Sequence, residues 1–113
     1  MIRDHPTYIL YVGIFWAKFE WDEAKEIMNI AKHGISFAQA SRIFAGRVWT
    51  FIDTRTDYGE VREISIGVAD AVAFLTVVHT DRSGVTRIIS ARPASQRERK
   101  RYDEALRASD DTR

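Results

Sequence analysis

A chain of 113 residues with 45% hydrophobic content has the size and apolar fraction of one domain around one core. Its formal net charge is only +1, so a polyanionic partner would have to be held by a local cationic patch and not by overall charge. The absence of cysteine removes disulfides, thiolate zinc sites and thiol nucleophiles, and agrees with a reducing, cytoplasmic setting.

Residues 8–17 (YILYVGIFWA) are apolar but too few to span a bilayer, which takes about 20 residues. They lack the cationic lead and small-residue cleavage site of a secretory signal, since Arg3 is followed at once by Asp4. Residues 1–17 therefore read as an N-terminal extension, either an added edge strand or a segment upstream of a domain over residues 18–108, and no membrane partner is expected.

Residues 18–21 read as a strand, with Asp22 as the N-cap of a helix in which Ala24, Ile27, Met28 and Ala31 form the buried stripe. Gly34 supplies the left-handed C-cap. Ser36 with Gln39 makes a capping box for a second helix, and Gly46 stops it, completing a helical hairpin. Residues 48–53, 61–68, 72–80 and 85–92 are then rich in β-branched and aromatic residues and joined by short separators, which predicts a four-stranded antiparallel meander with its third strand central. Pro93 ends the sheet, Ser95 and Glu98 cap a third helix that buries Tyr102, Ala105 and Leu106, and residues 109–113 are expected to fray. The fold class is α+β: strand, helical hairpin, meander, closing helix.

No phosphate-binding glycine loop, nucleophile elbow or metal-ligand spacing is present, and His5, His33 and His79 are scattered; no metal or other cofactor is expected. Polar residues on otherwise apolar strands carry the remaining chemistry. Arg62 shares the side of Ile64 and Ile66 by the period of two, and a guanidinium there needs an anion, whether the neighbouring Glu60 or a ligand at a cleft mouth. Two registers remain open for the hairpin around Asp70. With a two-residue loop Glu60 lies opposite His79 and Arg62 opposite Val77, a proton-transfer cluster. With a three-residue loop Arg62 lines up through Val78 with Arg87, a phosphate cradle.

Either arrangement suits RNA cleavage by its own 2′-hydroxyl, which needs a base, an acid and cations for the phosphate. Lys32 and His33 close the first helix, where cations meet the negative end of its dipole, and they could equally edge an RNA groove. From Arg82 to Arg101 seven cations face a single acid, Glu98; this run, which includes Arg99, is either a solvated helix face or part of a nucleic-acid patch.

The motifs F-E-W-D (19–22), N-x-x-K-H-G (29–34), R-x-x-x-I-G (62–67), V-V-H-T (77–80), R-I-I-S-A-R (87–92) and E-R-x-x-Y (98–102) together resemble the BrnT ribonuclease toxins of type II toxin–antitoxin systems over residues 18–106. The resemblance implies a RelE-like fold, metal-independent RNA cleavage that inhibits translation, and neutralisation by a cognate antitoxin, usually dimeric and DNA-binding. It implies an active face at Arg62, Arg87 and Arg92, with His79 as a further candidate; the residues themselves add Glu60 as a catalytic candidate and Lys32, His33, Arg87 and Arg99 as RNA contacts. A non-catalytic nucleic-acid or protein binder, an inactive relative, would use the same cations without needing Arg62 or His79.

Overall fold

The computed structural model describes residues 7–12 and 17–111. Strands β1 (Thr7–Val12) and β2 (Ala17–Asp22) are followed by α1 (Glu23–His33), α2 (Phe37–Ser41) with a 3₁₀ turn over Arg42–Ala45, β3 (Trp49–Ile52), β4 (Glu63–Ala69), β5 (Ala73–Arg82), β6 (Val85–Pro93) and α3 (Gln96–Asp111). All six strands form one sheet in the order β1-β2-β6-β5-β4-β3. β3 to β6 are antiparallel neighbours, but the sheet extends beyond them: β2 lies parallel to β6 and β1 antiparallel to β2. The domain thus has a mixed six-stranded sheet where the sequence suggests four antiparallel strands, because residues 18–21 add to the meander's last edge. α3 continues to Asp111, past the Ala108 at which fraying is expected.

Local chemistry sets the boundaries. The Asp22 side chain accepts from Lys25 N, Gly34 adopts φ 72°, and the Ser36 hydroxyl accepts from Gln39 N. Ser95 and Glu98 bond reciprocally: the Ser95 hydroxyl accepts from Glu98 N and the Glu98 carboxylate accepts from Ser95 N. The two-residue turn between β5 and β6 has positive φ at both Ser83 and Gly84, as a tight hairpin between twisted strands requires.

The sheet has two unlike faces. α1, α2 and the 3₁₀ turn cover the inner one, where Phe19, Trp21, Phe37, Ala40, Ile43, Leu75, Val77, Ile88 and Ala91 form the core. Gly67 lies under the 3₁₀ turn; a Cβ there would come within 3.0 Å of Val48 Cγ1 and 3.1 Å of Ile43 Cβ. α3 covers one end of the outer face, where Tyr102 packs edge-on to Phe74 and donates its hydroxyl to Arg47 O.

α1 does not bury the stripe its apolar residues suggest. Ile27 is 60% and Met28 71% exposed, and Asn29 is the buried residue of the helix. The reason lies in what the helix packs against. Past Ile88, β6 has no paired residue on β2, because β2 turns into α1 at Asp22. Asn29 takes the missing strand's place: its amide donates to Ala91 O (2.8 Å) and Ile35 O (2.9 Å), and its Oδ1 accepts from Ala91 N (3.1 Å). Glu26, one turn earlier, accepts from Phe37 N at the start of α2. Unsatisfied backbone groups, and not apolar area, choose the inward side of this helix. Replacing Asn29 by Ala strands three buried backbone groups and should cost about 2–5 kcal/mol of unfolding free energy. Urea unfolding of the variant checks this, and a midpoint like the parent's would refute it.

Candidate active face

The β4–β5 register follows neither of the two pairings the sequence leaves open. Ala69 pairs with Ala73, and from there Ser65 pairs with Val77, Ile64 with Val78 and Glu63 with His79. The connecting residues 70–72 are three, with positive φ at both Asp70 and Ala71. Arg62, immediately before β4, therefore lies beside Thr80, whose hydroxyl donates to Val61 O (2.6 Å).

On the other side of β5, Thr80 pairs with Arg87 and Thr76 with Arg92. Arg87 and Arg92 are five apart, an odd separation that would put them on opposite faces of a regular strand. A register shift between Val78 and His79 skips Ile89, so that both reach the outer face. The result is a row across the sheet, Arg62–Thr80–Arg87–Glu20, with Arg92 farther along the same face. Arg62 and Arg87 do align, through Thr80 instead of Val78.

Each guanidinium has a carboxylate neighbour. Arg87 Nη1 donates to Glu20 Oε2 (3.0 Å), and Arg92 grips Glu98 with both Nη atoms (2.8 and 2.7 Å). With Arg92, Thr76 and Ser95 N all donating to it, the Glu98 carboxyl is pulled down to about 2. Arg62 is held more loosely: its Nε is buried without a hydrogen bond, 3.5 Å from Glu60 Oε2, and its guanidinium lies 4.1 Å from the centre of the Tyr58 ring. Glu60 also pairs with Arg82 (3.3 Å).

A buried carboxylate organises the loop beneath this cluster. Asp53 accepts from Arg55 N, Nε and Nη2 and from the Tyr58 hydroxyl, and its own N–H donates to Arg62 O. Its carboxyl is held well below the ordinary range, chiefly by the Arg55 side chain. Arg55 in turn is close enough to Arg92 for their like charges to interact. Across from β6, α1 and Ser90 enclose a hollow of about 490 Å³ lined by Lys25, Met28, Asn29, Lys32, His33 and Ser90 among others. Ser90 faces outward between Arg87 and Arg92, so the Lys32 and His33 end of α1 adjoins the arginine face.

His79 is not part of this cluster. It points to the inner face, opposite Glu63 and not Glu60, and is 6% exposed. Its Nε2 bonds the Ser65 hydroxyl (2.7 Å), which bonds the Thr50 hydroxyl (2.7 Å), and its ring meets Phe44 edge-on. Glu63 is 3.8 Å from Nδ1 and over a third exposed, too distant and too solvated to offset burial. Burial lowers the imidazole to about 4, so the ring is neutral near pH 7. Arg99 is also apart: it stacks on Phe74, which pairs with Val68 at the far end of β4, six residues or about 20 Å of strand from Arg62. Among the described residues no three His, Asp or Glu side chains are grouped to hold a metal ion.

The model of the ribonuclease toxin BrnT of type II toxin–antitoxin systems matches residues 21–98, more than half the chain. The chain belongs to the BrnT ribonuclease-toxin family. The crystal structure of the Brucella abortus ribonuclease toxin BrnT is similar at a TM-score of 0.51 and 32% identity, covering 67% of this chain and 94% of that one. No curated protein matches. Membership of a type II toxin–antitoxin family implies an RNA substrate and an antitoxin partner, and no helix among the described residues is long and apolar enough to cross a membrane.

The BrnT match covers every arginine of this face and, of its other residues, all but Glu20; it includes Asp53, Arg55, Tyr58 and Thr80, which sequence reasoning passes over. Asp53 reads as the last residue of a strand, and Arg55 and Tyr58 fall in the separator after it; the one available signal is the density of charge, D-x-R-x-x-Y-x-E-x-R from Asp53 to Arg62.

The lowered His79 value has a definite sign. The unfolded chain takes up a proton near pH 6.5 while the native ring resists to about 4, so the stability His79 contributes is complete above pH 6.5 and lost as pH falls toward 4. The loss should be on the order of 3 kcal/mol. Unfolding free energies measured from pH 7 to 4 on the parent and on His79→Gln should diverge by this slope; parallel curves would contradict it.

Proposed function

We propose that this chain is a metal-independent endoribonuclease toxin that cuts RNA by attack of a 2′-hydroxyl on the adjacent phosphate, inhibits translation, and is neutralised by a cognate, dimeric, DNA-binding antitoxin. The observation that carries the reading is the Arg62–Thr80–Arg87 row with Arg92 on the same face, the Arg62 and Arg87 side chains partly exposed and Arg92 more so. In the reaction the 2′-oxygen–phosphorus bond forms as the phosphorus–5′-oxygen bond breaks, leaving a cyclic phosphate and a 5′-hydroxyl.

Arg62 and Arg87 would take the phosphate oxygens from either side of Thr80, as guanidinium groups do with two parallel donors. Glu60, beside Arg62, would accept the 2′-hydroxyl proton. Arg92 would stabilise the leaving oxygen, which takes its proton from water. His79, neutral and on the opposite face, fits a positioning role: through Ser65 and Thr50 it fixes the β3–β4–β5 register that aligns Arg62. Lys32 and His33 would receive the RNA strand where it leaves the arginine face, and Arg99 lies outside the reacting centre. A non-catalytic binder shares these cations but yields no product.

Purified protein should cleave single-stranded RNA with EDTA present, and Arg62→Ala and Arg87→Ala should each lower kcat/KM by about 10²–10³-fold while remaining folded. Arg92→Ala should lose activity and also loosen α3, lowering its melting temperature. Expression should arrest growth, with relief by the same substitutions. Intact RNA after incubation with the parent protein would overturn the reading, as would full activity in Arg62→Ala.

A further inference from the structure

The outer face carries a second feature that cleavage does not use. In the row four residues along β5 from Thr80, Trp49 pairs with Ile66, Ile66 with Thr76 and Thr76 with Arg92, so one line across four strands runs from an aromatic to an arginine. Phe51, two residues on from Trp49, shares its face; the two ring centres are 4.8 Å apart. Phe51 is 36% exposed and Trp49 only partly covered. Two neighbouring aromatic rings, one of them exposed, form a small apolar patch rimmed by polar residues, the kind of surface that ligands use.

Between these rings and α3 is a hollow of about 260 Å³, lined by Trp49, Phe51, Ile66, Ser95, Arg97, Glu98 and Arg101. Arg97 and Arg101, one turn apart on α3, are exposed, and neither makes an ion pair with a described residue. The Glu98 carboxylate is already engaged by Arg92, Thr76 and Ser95. The pocket therefore offers ring faces, an apolar floor at Ile66 and cations at the rim.

We infer that Trp49 and Phe51 form a stacking subsite for an unpaired RNA base beside the cleavage site, with Arg97 and Arg101 holding the flanking phosphates; the inference rests on the ribonuclease reading above. A planar, apolar-faced ring attached to a polyanion is the occupant that this combination fits, and Glu98, which lines the hollow and is bonded to Arg92, sets the subsite beside the arginine face. A duplex keeps its bases stacked on one another and cannot enter, so the subsite selects single strands. It also orients the chain: the stacked base lies on the β3 side of the scissile phosphate.

The test uses a single-stranded 2′-O-methyl RNA oligonucleotide, which cannot be cut, and the same oligonucleotide with abasic sites. The parent should bind the base-bearing strand roughly tenfold more tightly than the abasic one, the order of a single stacking contact. Trp49→Leu and Phe51→Leu should each erase most of that difference and leave abasic binding and its salt dependence unchanged, while Trp49→Phe should retain it. Equal binding of both strands by the parent would overturn the inference, as would unchanged discrimination in both leucine variants. It would equally fail if those variants kept discrimination but lost the antitoxin, which would give the rings to a protein partner. Failure of the parent to cleave ordinary RNA would defeat the ribonuclease reading and leave this binding comparison readable.

Discussion

β6 is the strand on which this molecule turns. It carries Arg87 and Arg92 and pairs with β5 along its whole length, but β2 accompanies it for only three residues before the chain departs into α1. A central strand left half open would expose backbone donors and acceptors within the core, an expensive arrangement. Asn29 meets that need with one side chain that both donates to and accepts from Ala91, while its second amide hydrogen secures Ile35 O in the turn to α2. The orientation of α1 follows, and with it the place of Lys32 and His33 beside Ser90. Structure and surface chemistry are coupled here through a single amide.

The bulge in β6 does comparable work. By skipping Ile89 it turns a five-residue spacing into a same-face pair, and it lets Ile88 and Ala91 both remain in the core. Apolar side chains thereby collect on the helix-covered face and guanidinium groups on the outer one. His79 shows the same sorting from the other side: an imidazole on the inner face loses its charge to burial and becomes a hydrogen-bonding strut.

Much of this was legible in the residues. Caps at Asp22, Gly34, Ser36 and Ser95, the strand segments and the closing helix announce themselves because each rests on local chemistry. The inward side of α1 was not legible, since it is decided by open backbone groups sixty residues away. Register was not legible either. The choice between pairings depends on positive φ at Asp70 and Ala71 and on the Thr50–Ser65–His79 chain, none of which leaves a periodic mark. Arg62, Arg87 and Arg92 could be picked out as charges on apolar strands, whereas Asp53 and Tyr58, which hold Arg62 in place, looked like an ordinary strand end and an ordinary loop residue.

The ion pairs on the outer face grade the arginines by how much of each is still available. A guanidinium has five N–H donors. Arg92 commits both terminal nitrogens to Glu98, which is itself tied to Ser95 and Thr76, so this pair fastens the start of α3 to the sheet. Arg87 gives one hydrogen bond to Glu20, and Arg62 has a buried Nε with no bond made and an aromatic ring beneath its plane. A phosphate arriving between Arg62 and Arg87 therefore displaces little that is already formed, while one arriving at Arg92 must compete with a structural pair. Held in place by carboxylates and an aromatic ring, these side chains give up less conformational freedom on meeting an anion than free arginines would. The same carboxylates keep several like charges on one small sheet from forcing it apart.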